Sequence, residues 1–401
     1  MPVARNLPSR GRRALTFVVL GGLSAFGPLA TDLYLPALPE VGRDLGAGQG
    51  VVQLTISTSL IGLALGQLVA GPLSDNLGRR RPLVVGLVGF VVFSLLCAVA
   101  PNVFLLIVAR LLQGGCGAAG LVIARAVVRD LWGPVDSGRV FAQLTVVSGL
   151  APIAAPLLGA QLLRVMPWQG LFIVLAGIGV VLVLGALTLP ESLPVERRRS
   201  DGLRQTLAVG ADLVRSRPFV GYALAAGLGT ACLLTYIAAS PFVLQTGYGV
   251  SAQVFSLVFA INSVGIVLAG QIGGRLTRRV GSGRLLTVGQ SLQAVGALVL
   301  VGVALSGVGS LVALLVPLFV VVAGIGLISP HATALALAPH PDVAGSASAL
   351  VGASQFLLAG LISPLGGLGG TGSAVPMVLT MAVVAVVSLL LVRWLTHRPT
   401  G

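Results

Sequence analysis

The chain has 401 residues and a formal net charge of +14, yet only 9% of its side chains are charged. Soluble domains carry about 25% charged residues, and the mean hydropathy of this chain is +1.01, so a soluble globular protein is excluded. Every basic side chain is arginine, and apolar runs separate the arginines. They form no basic face with interleaved aromatic residues, so we expect no nucleic-acid partner.

Twelve apolar runs are long enough to cross a bilayer, which takes about 20 residues. Hydrocarbon cannot hydrogen-bond to backbone groups, so we expect each run to be an α-helix. The predicted spans are Ala14–Pro36, Val51–Leu73, Pro82–Ala100, Val103–Val128, Val140–Leu163, Trp168–Leu189, Phe219–Phe242, Val254–Leu276, Leu285–Leu305, Leu311–Ala334, Ala344–Leu368 and Ala374–Trp394. The fold class predicted is therefore an all-α integral membrane protein.

Arginine is distributed unevenly between the segments that join the spans. If the N-terminus lies inside, the segments on that side hold 21 arginines and the opposite segments hold only Arg43 and Arg164. The positive-inside rule therefore predicts that both termini are cytoplasmic. An arginine-rich start before an apolar run is also typical of a cleaved signal peptide. Here the run contains Asp32 and the arginine distribution requires it, so we interpret it as a retained first span.

Of the eleven acidic residues, only Asp32 falls inside a span rather than in a loop or at a helix end. It lies about 18 residues into the first span, or roughly 27 Å from its start. Arg110 lies about 8 residues into the fourth span, at a comparable depth. Ionisable groups inside a membrane are costly and usually functional, so Asp32 and Arg110 are the candidate pair for proton coupling. The alternative for Asp32 is a cap on the outer end of its helix.

The loop between the second and third spans is GPLSDNLGRRRPL, residues 71–83. It combines two glycines that can form a turn with one aspartate and three consecutive arginines. Glycine permits close approach or positive φ, and a carboxylate can accept charge-assisted hydrogen bonds from arginine. The loop is either a stop-transfer loop that only fixes the topology or a cytoplasmic gate. The predicted gate residues are Gly71, Asp75, Gly78, Arg79, Arg80 and Arg125, the last as a partner of Asp75 or a liner of the inner vestibule.

The fourth span places Arg110, Gln113, Gly114 and Gly117 at i, i+3, i+4 and i+7, on one helix face. Such a face either packs closely against another helix or lines a cavity. Arg110 must find an anion, a carbonyl or water there. The predicted features of the fifth span are Gly149, Pro152, Pro156 and Gly159, because prolines four residues apart kink a helix and free backbone carbonyls.

A polar segment, residues 191–218, is interpreted as a cytoplasmic linker between two six-helix bundles, residues 1–190 and 219–401. The bundles repeat each other, since part of the loop at 71–83 recurs 203 residues later. The paired positions are Leu73, Ser74, Leu77, Gly78, Arg81 and Leu83 with Leu276, Thr277, Val280, Gly281, Arg284 and Leu286. Repeated halves are typical of transporters that bind cargo at the repeat interface. Arg278 replaces Asp75 in the second copy, so we expect an ion pair in the first copy only.

Three of these motifs carry a family resemblance. Residues 71–83 resemble the loop between helices 2 and 3 of the major facilitator superfamily, and RLLQGGCGAAG at 110–120 resembles its helix 4 motif. SGLAPIAAPLLGA at 148–160 resembles the antiporter motif of its twelve-helix drug exporters, with Ala155 and Ala160 where glycine is usual. The wider pattern is most similar to exporters of the Bcr/CflA type, through residues 31–39, 65–80, 109–114, 125–130, 151–160, 240–251, 331–337 and 344–352.

The resemblance implies two pseudo-symmetric six-helix bundles that act by alternating access as a monomer in a bacterial inner membrane. It implies proton-coupled export of small hydrophobic drugs such as phenicols or bicyclomycin, without a cofactor and without enzymatic activity. In that family the arginine at position 110 faces the central cavity and takes part in proton coupling. The candidate substrate-lining residues are Tyr34, Gln113, Tyr236, Phe242, Asn262, Gln355 and Phe356.

Several alternatives remain open at this point. The chain could instead move a native metabolite, such as a sugar or an amino-acid derivative, in either direction. An enzyme is disfavoured because no histidine lies beside an acid within a span, and Cys97, Cys116 and Cys232 lack metal-ligand spacing. Ser24 stands where some relatives carry a second acid. His331 is either a second titrating site or a hydrogen-bonded structural histidine.

Overall fold

The computed structural model describes residues 10–198, 210–307, 310–340, 343–368, 370 and 372–396. Part of the predicted linker, residues 199–209, therefore lies outside the described residues. The described elements are all helical, and they contain twelve helical segments that are long and apolar enough to cross a membrane. The all-α integral membrane fold and its twelve spans are confirmed.

We number the helices in chain order. They are α1 (Arg10–Asp32), α2 (Leu38–Asp44), α3 (Gln49–Leu77), α4 (Arg80–Ala98), α5 (Val103–Leu162), α6 (Trp168–Thr188), α7 (Arg217–Pro241), α8 (Ala252–Val280), α9 (Ser282–Leu305), α10 (Leu311–Leu337), α11 (Ala344–Ile362) and α12 (Val375–Thr396). The first span, Leu15–Asp44, joins α1 and the short α2 through a 3₁₀ turn. The continuous helical stretch α5 contains two spans, Val103–Trp132 and Gln143–Leu162.

The helices are apolar on both faces. In α6, Phe172 and Leu175 are fully buried, whereas Ile173 and Leu184 on the opposite side are more than half exposed. A helix that is hydrophobic all round is typical of a membrane span, because lipid replaces water at its outer face. The sequence therefore needs no polar stripe to form a stable helix in this environment.

The bundle has two distinct ends. We call one the arginine-rich end, where α3, α6 and α8 finish and α4 and α9 begin, and the other the far end. At the arginine-rich end α3 stops at Gly78, with φ +91°, and α8 stops at Gly281, with φ +84°. These two glycines are counterparts in the sequence repeat, and their left-handed conformation turns each chain sharply into the next helix.

The two halves of the molecule meet mainly through α3 against α11 and α5 against α8. The side-chain hydrogen bonds that join them within the described residues lie toward the far end. Ser57 Oγ is 3.0 Å from Ser363 Oγ, and Ser256 Oγ donates to the Pro156 carbonyl at 2.9 Å. Gln245 Nε2 donates to the Pro36 carbonyl at 3.2 Å. We call this set of contacts the far-end seal.

Candidate functional site

The Arg110 side chain is completely buried in the first half, where α1, α3 and α5 approach one another. Its Nη1 donates to Gln113 Oε1 at 2.6 Å and to the Ala30 carbonyl at 3.3 Å. Its Nε donates to the Thr55 carbonyl at 3.4 Å. The sequence allowed an anion, a carbonyl or water as the partner of Arg110. In the structure its hydrogen bonds go to carbonyl oxygens.

Two aromatic rings flank the Arg110 guanidinium. Its central carbon lies 5.2 Å from the centre of the Tyr34 ring and 5.7 Å from the centre of the Phe172 ring. Both distances fall within the range of cation–π attraction, which is strengthened when water is excluded. Phe172 was not predicted from the sequence, because nothing in the apolar sixth span distinguishes it from its neighbours. Tyr34 was predicted as a substrate-lining residue, and here it packs against Arg110.

Gln113 connects two helices as well as contacting Arg110. Its amide oxygen accepts from Arg110, which leaves its nitrogen to donate to Ser94 Oγ of α4 at 2.7 Å. Gly114, one residue further, approaches the Ser59 carbonyl of α3 so closely that a Cβ atom would lie 2.0 Å from it. The polar face predicted on the fourth span is therefore a tightly packed surface around Arg110.

Asp32 lies at the end of α1 with only 5% of its surface exposed. Within the described residues its carboxylate forms no ion pair and no direct hydrogen bond with Arg110. The 3₁₀ turn that follows it, Leu35–Ala37, packs against α7 and α8 of the second half. A buried carboxylate without a counter-ion has a strong tendency to be neutralised or to acquire a partner.

Tyr236 is held in place by two residues of α8. Its hydroxyl accepts a hydrogen bond from Asn262 Nδ2 at 3.0 Å, and its ring stacks on Phe259 with 5.9 Å between centres. Tyr236 and Asn262, both predicted as lining residues, are thus brought together on the second half. Asp32 belongs to the first half and precedes the turn, Leu35–Ala37, that contacts both of these second-half helices.

The remaining predicted lining residues lie elsewhere in the second half. Phe242 is buried at the end of α7. Gln355 of α11 donates to Ser329 Oγ at 3.1 Å, and Phe356 is half-buried beside it.

Ser24, which stands in α1 where some relatives carry a second acid, donates a hydrogen bond to the Leu20 carbonyl.

His331 is hydrogen-bonded through both ring nitrogens. Nδ1 lies 2.6 Å from the Leu327 carbonyl and must donate to it, and Nε2 lies 3.1 Å from Thr277 Oγ1. The side chain is buried between α8 and α10. This geometry matches the structural alternative for His331.

The predicted gate centres on Arg79, at the arginine-rich end. Its Nε donates to Asp130 Oδ2 at 2.9 Å, and its Nη1 donates to Ser74 Oγ and to Asp75. Asp130 lies in the last turn of the fourth span, Val103–Trp132, and was not predicted as a gate residue, although it closes the RAVVRD motif. Arg125 is exposed and does not pair with Asp75. These ion pairs join elements of the first half only.

Glu191 caps the beginning of α4. Its carboxylate accepts hydrogen bonds from the backbone N–H groups of Arg79 at 2.8 Å, Arg80 at 3.1 Å and Leu193 at 3.0 Å. Burial alone would raise the pKa of Glu191, but these three donors and the nearby Arg198 charge hold that pKa below its usual range. The sequence placed Glu191 in a linker, because a cap contributed from more than 100 residues away leaves no local pattern.

The two glycines predicted for the gate, Gly78 and Gly71, differ in how much space surrounds them. A Cβ atom on Gly78 would lie 2.6 Å from Glu191 Oε2, and one on Gly71 would lie 3.8 Å from a Val122 methyl group. Only glycine fits at Gly78, for reasons of both space and φ, whereas Gly71 has ordinary room. Arg80 extends to the end of α6, where it donates to the Leu187 carbonyl.

The glycine–proline motif of the fifth span forms part of the far-end seal. The Pro156 carbonyl accepts from Ser256, and the Ala160 carbonyl accepts from Gln253 Nε2 at 3.2 Å. Gly159 passes so close to the end of α1 that a Cβ atom would lie 2.2 Å from the Leu33 carbonyl. The other two motif residues lie nearer the middle of the helix: Gly149 faces Val267 of the second half, and Pro152 is half-buried.

Comparison with known proteins places this architecture in context. The family profile of the Major Facilitator Superfamily matches residues 19–364. An uncharacterized MFS-type transporter of Bacillus subtilis, YdgK, is 38% identical over 99% of this chain and 98% of its own. A bicyclomycin resistance protein homolog of Haemophilus influenzae is 29% identical over 95% and 96%. A chloramphenicol resistance protein of Pseudomonas aeruginosa is 29% identical over 91% and 85%.

A solved structure also shares the fold. The xylose transporter XylE of E. coli, in a partially occluded inward open conformation, superimposes with a TM-score of 0.73 over 98% of this chain and 99% of its own. The two sequences are only 14% identical, so the likeness concerns the arrangement of the helices.

Proposed function

The chain belongs to the Major Facilitator Superfamily, and on this basis we propose that it exports small hydrophobic drugs across the bacterial inner membrane in exchange for protons. The family and the fold are those of multi-pass membrane transporters. Relatives that match over nearly the whole chain are named for resistance to bicyclomycin and chloramphenicol. Drug-like compounds of this size are therefore the cargo class to test first.

The observation that carries the proton-coupled part is the position of Asp32. It is a buried carboxylate next to the turn by which the first half contacts α7 and α8, without an ion-pair partner in the described part of the chain. Such a group gains stability from a proton, from a cationic partner or from a hydrogen-bond donor, such as a hydroxyl group of a neutral drug. Proton binding and cargo binding at Asp32 would then compete, which is the requirement for exchange.

Alternating access supplies the movement. The far-end seal is closed in this structure, and the arginine distribution predicts that the far end faces the outside. Rocking of the two halves would open the seal and expose Asp32 to the outer solution, where it takes up a proton. Return to the inward-facing state would release that proton into the cytoplasm and allow cargo to bind.

Arg110 has a supporting role in this scheme. It remains the second proposed proton-coupling residue, and carbonyl oxygens and aromatic faces hold it within the first half without a bond to Asp32. The cargo pocket proposed between the halves uses side chains from both bundles. Its proposed members are Tyr34, Gln113, Tyr236, Phe242, Asn262, Gln355 and Phe356.

The arginine-rich end acts as the cytoplasmic gate in the proposal. Its members are Gly71, Asp75, Gly78, Arg79, Arg80 and Arg125. The Asp75–Arg79–Asp130 network, together with Glu191, holds this end of the first half rigid. The second half lacks the corresponding acid, so we propose that the first half provides the fixed side of the gate.

The test is proton-driven accumulation in everted vesicles. Asp32→Asn should reduce pH-gradient-driven uptake of chloramphenicol or bicyclomycin to the background of empty vesicles, and its equilibrium drug binding should no longer depend on pH. Asp212→Asn is the matched control, because Asp212 is an exposed acid in a surface ion pair, and it should transport normally. Wild-type rates in Asp32→Asn vesicles would show that Asp32 does not couple transport to protons.

Direction and cargo are tested in the same preparation. Counterflow with a panel of chloramphenicol, bicyclomycin, a sugar and an amino-acid derivative identifies the class that exchanges. Counterflow of the sugar or amino-acid derivative, with none for either drug, would replace the drug assignment with a metabolite transporter.

A further inference from the structure

Two open grooves on the lipid-facing side of the first half begin at its arginine-rich end. The larger, about 600 Å³, lies between α4 and α6. We call it groove A, and it is lined by Arg80, Arg81, Val84, Val85, Leu187, Glu191 and Arg198. Its polar residues all lie at the end of the bundle, and its valines and leucine continue toward the hydrocarbon.

The second groove, groove B, occupies about 250 Å³ between α3, α4 and α5. Gly66, Gly86 and Gly115 are among its lining residues. Its walls are apolar, including Leu73 and Leu77, both 43% exposed. Arg81 and Val85 line both grooves, so they form the ridge that separates groove A from groove B.

One charge at the mouth is not neutralised by the described part of the protein. Arg81 is exposed and has no hydrogen-bond or ion-pair partner within the described residues. Arg198 is half-buried, and its charge already acts on Glu191. Glu191 is the acid at this mouth, and its carboxylate is occupied by three backbone N–H groups. Arg81 therefore stands as an unpaired donor above two apolar channels.

We propose that this surface binds one anionic phospholipid of the leaflet at the arginine-rich end. The headgroup phosphate contacts Arg81, and the two acyl chains lie on either side of the Arg81–Val85 ridge, one in each groove. A phosphate matches arginine through charge-assisted hydrogen bonds. A molecule with one charged head and two apolar tails matches the shape and the polarity of the paired grooves.

A soluble phosphate compound is the other source of this chemistry. A soluble phosphate would bind Arg81. Groove B, which is apolar below Arg81, would then remain in contact with other lipids. The continuity of both grooves with the hydrocarbon favours the lipid. The site lies on the outer face of the bundle, away from Asp32, so it does not depend on the identity of the transported compound.

Native mass spectrometry of the purified full-length protein in detergent micelles tests the proposal. The protein is titrated with an equimolar mixture of phosphatidylglycerol and phosphatidylcholine. We expect the wild type to retain phosphatidylglycerol about fivefold more than phosphatidylcholine, the preference expected of about one arginine contact with an anionic lipid. Equal retention of the two lipids would overturn the proposal.

Variants locate the binding. Arg81→Gln should lower phosphatidylglycerol retention about fivefold, and Arg81→Lys should restore most of it. Arg284→Gln is the matched control, because Arg284 is the exposed counterpart of Arg81 in the second half. Equal losses in Arg81→Gln and Arg284→Gln would show general surface attraction and would overturn the site.

The apolar part is tested without changing charge. Val85→Trp fills the ridge between the grooves and should reduce phosphatidylglycerol retention, whereas Val92→Trp, two turns deeper on the same helix, should not. Val85 is 70% exposed and Val92 54% exposed, so both variants should fold. Two results together would overturn the lipid proposal: millimolar glycerol phosphate displaces phosphatidylglycerol, and Val85→Trp has no effect. They would show that Arg81 binds a soluble phosphate instead.

Discussion

A buried guanidinium must replace the hydration that it loses, and Arg110 does so in part, without a carboxylate: its Nε and Nη1 are hydrogen-bonded, whereas its Nη2 has no partner within the described residues. Two backbone carbonyls and one amide oxygen accept its hydrogen bonds, and two aromatic faces cover its plane. Its depth in the span was predictable from sequence, but its partners were not. Asp32 lies at a similar predicted depth, yet it forms no bond with Arg110, and the turn that follows it packs against the second half.

Gly78 and Gly281 end their helices with the same backbone conformation but have different surroundings. Gly78→Ala and Gly281→Ala impose the same strain, because both positions have φ near +90°, and each should lose about 1–3 kcal/mol of stability. Gly78→Ala should lose more, because its Cβ would also lie 2.6 Å from Glu191 Oε2, whereas nothing lies within 4 Å at Gly281.

Thermal unfolding of the two variants in detergent measures the difference. A larger fall in Tm for Gly78→Ala than for Gly281→Ala is the expected result. Equal falls would show that Glu191 moves aside at negligible cost, and that its cap on α4 contributes little to stability.

At the scale of elements, glycine determines how closely the helices approach. Gly62 of α3 and Gly114 of α5 face the partner helix backbone, each where a Cβ atom would lie 2.0 Å from a carbonyl oxygen. Close contact of small residues is a main source of helix association in lipid, where no hydrophobic effect operates between spans. The sequence predicted that Gly114 shares a face with Arg110, and the structure shows that this face packs on α3.

Neighbouring glycines in α5 test this packing. Gly114→Ala should destabilise the first half by roughly 1–3 kcal/mol, in the range of overpacked cores, because α3 and α5 must separate. Gly115→Ala should be nearly neutral, because its Cβ would lie 3.5 Å from the nearest atom, the Gly62 carbonyl oxygen. Thermal unfolding temperature and surface expression report the difference, and similar values for both variants would contradict the packing argument.

At the scale of the whole molecule, the far-end seal joins halves that must separate if alternating access is correct. Its contacts are hydroxyl, amide and carbonyl hydrogen bonds. Each such bond contributes only about 1 kcal/mol net. A seal of this kind can break and re-form with a small change in free energy, such as that supplied by proton binding.

A reversible cross-link tests whether the seal opens. Ser57 and Ser363 have hydroxyl oxygens 3.0 Å apart, so the double variant Ser57→Cys/Ser363→Cys should oxidise to a disulfide that spans the two halves. Transport in vesicles should fall to background on oxidation and recover with reductant. Each single cysteine variant is a control that should transport in both conditions. Full activity of the oxidised double variant would show that the halves need not part at this end.

The sequence by itself determined the fold class and the twelve spans, because length and hydropathy decide what can remain in lipid. It also identified Asp32, Arg110 and the 71–83 loop, since charge and glycine stand out against an apolar background. Only the tertiary structure decided which groups these residues meet. Phe172, Asp130 and Glu191 approach them from distant parts of the chain, and contacts between distant segments depend on how the helices pack, which no local pattern records.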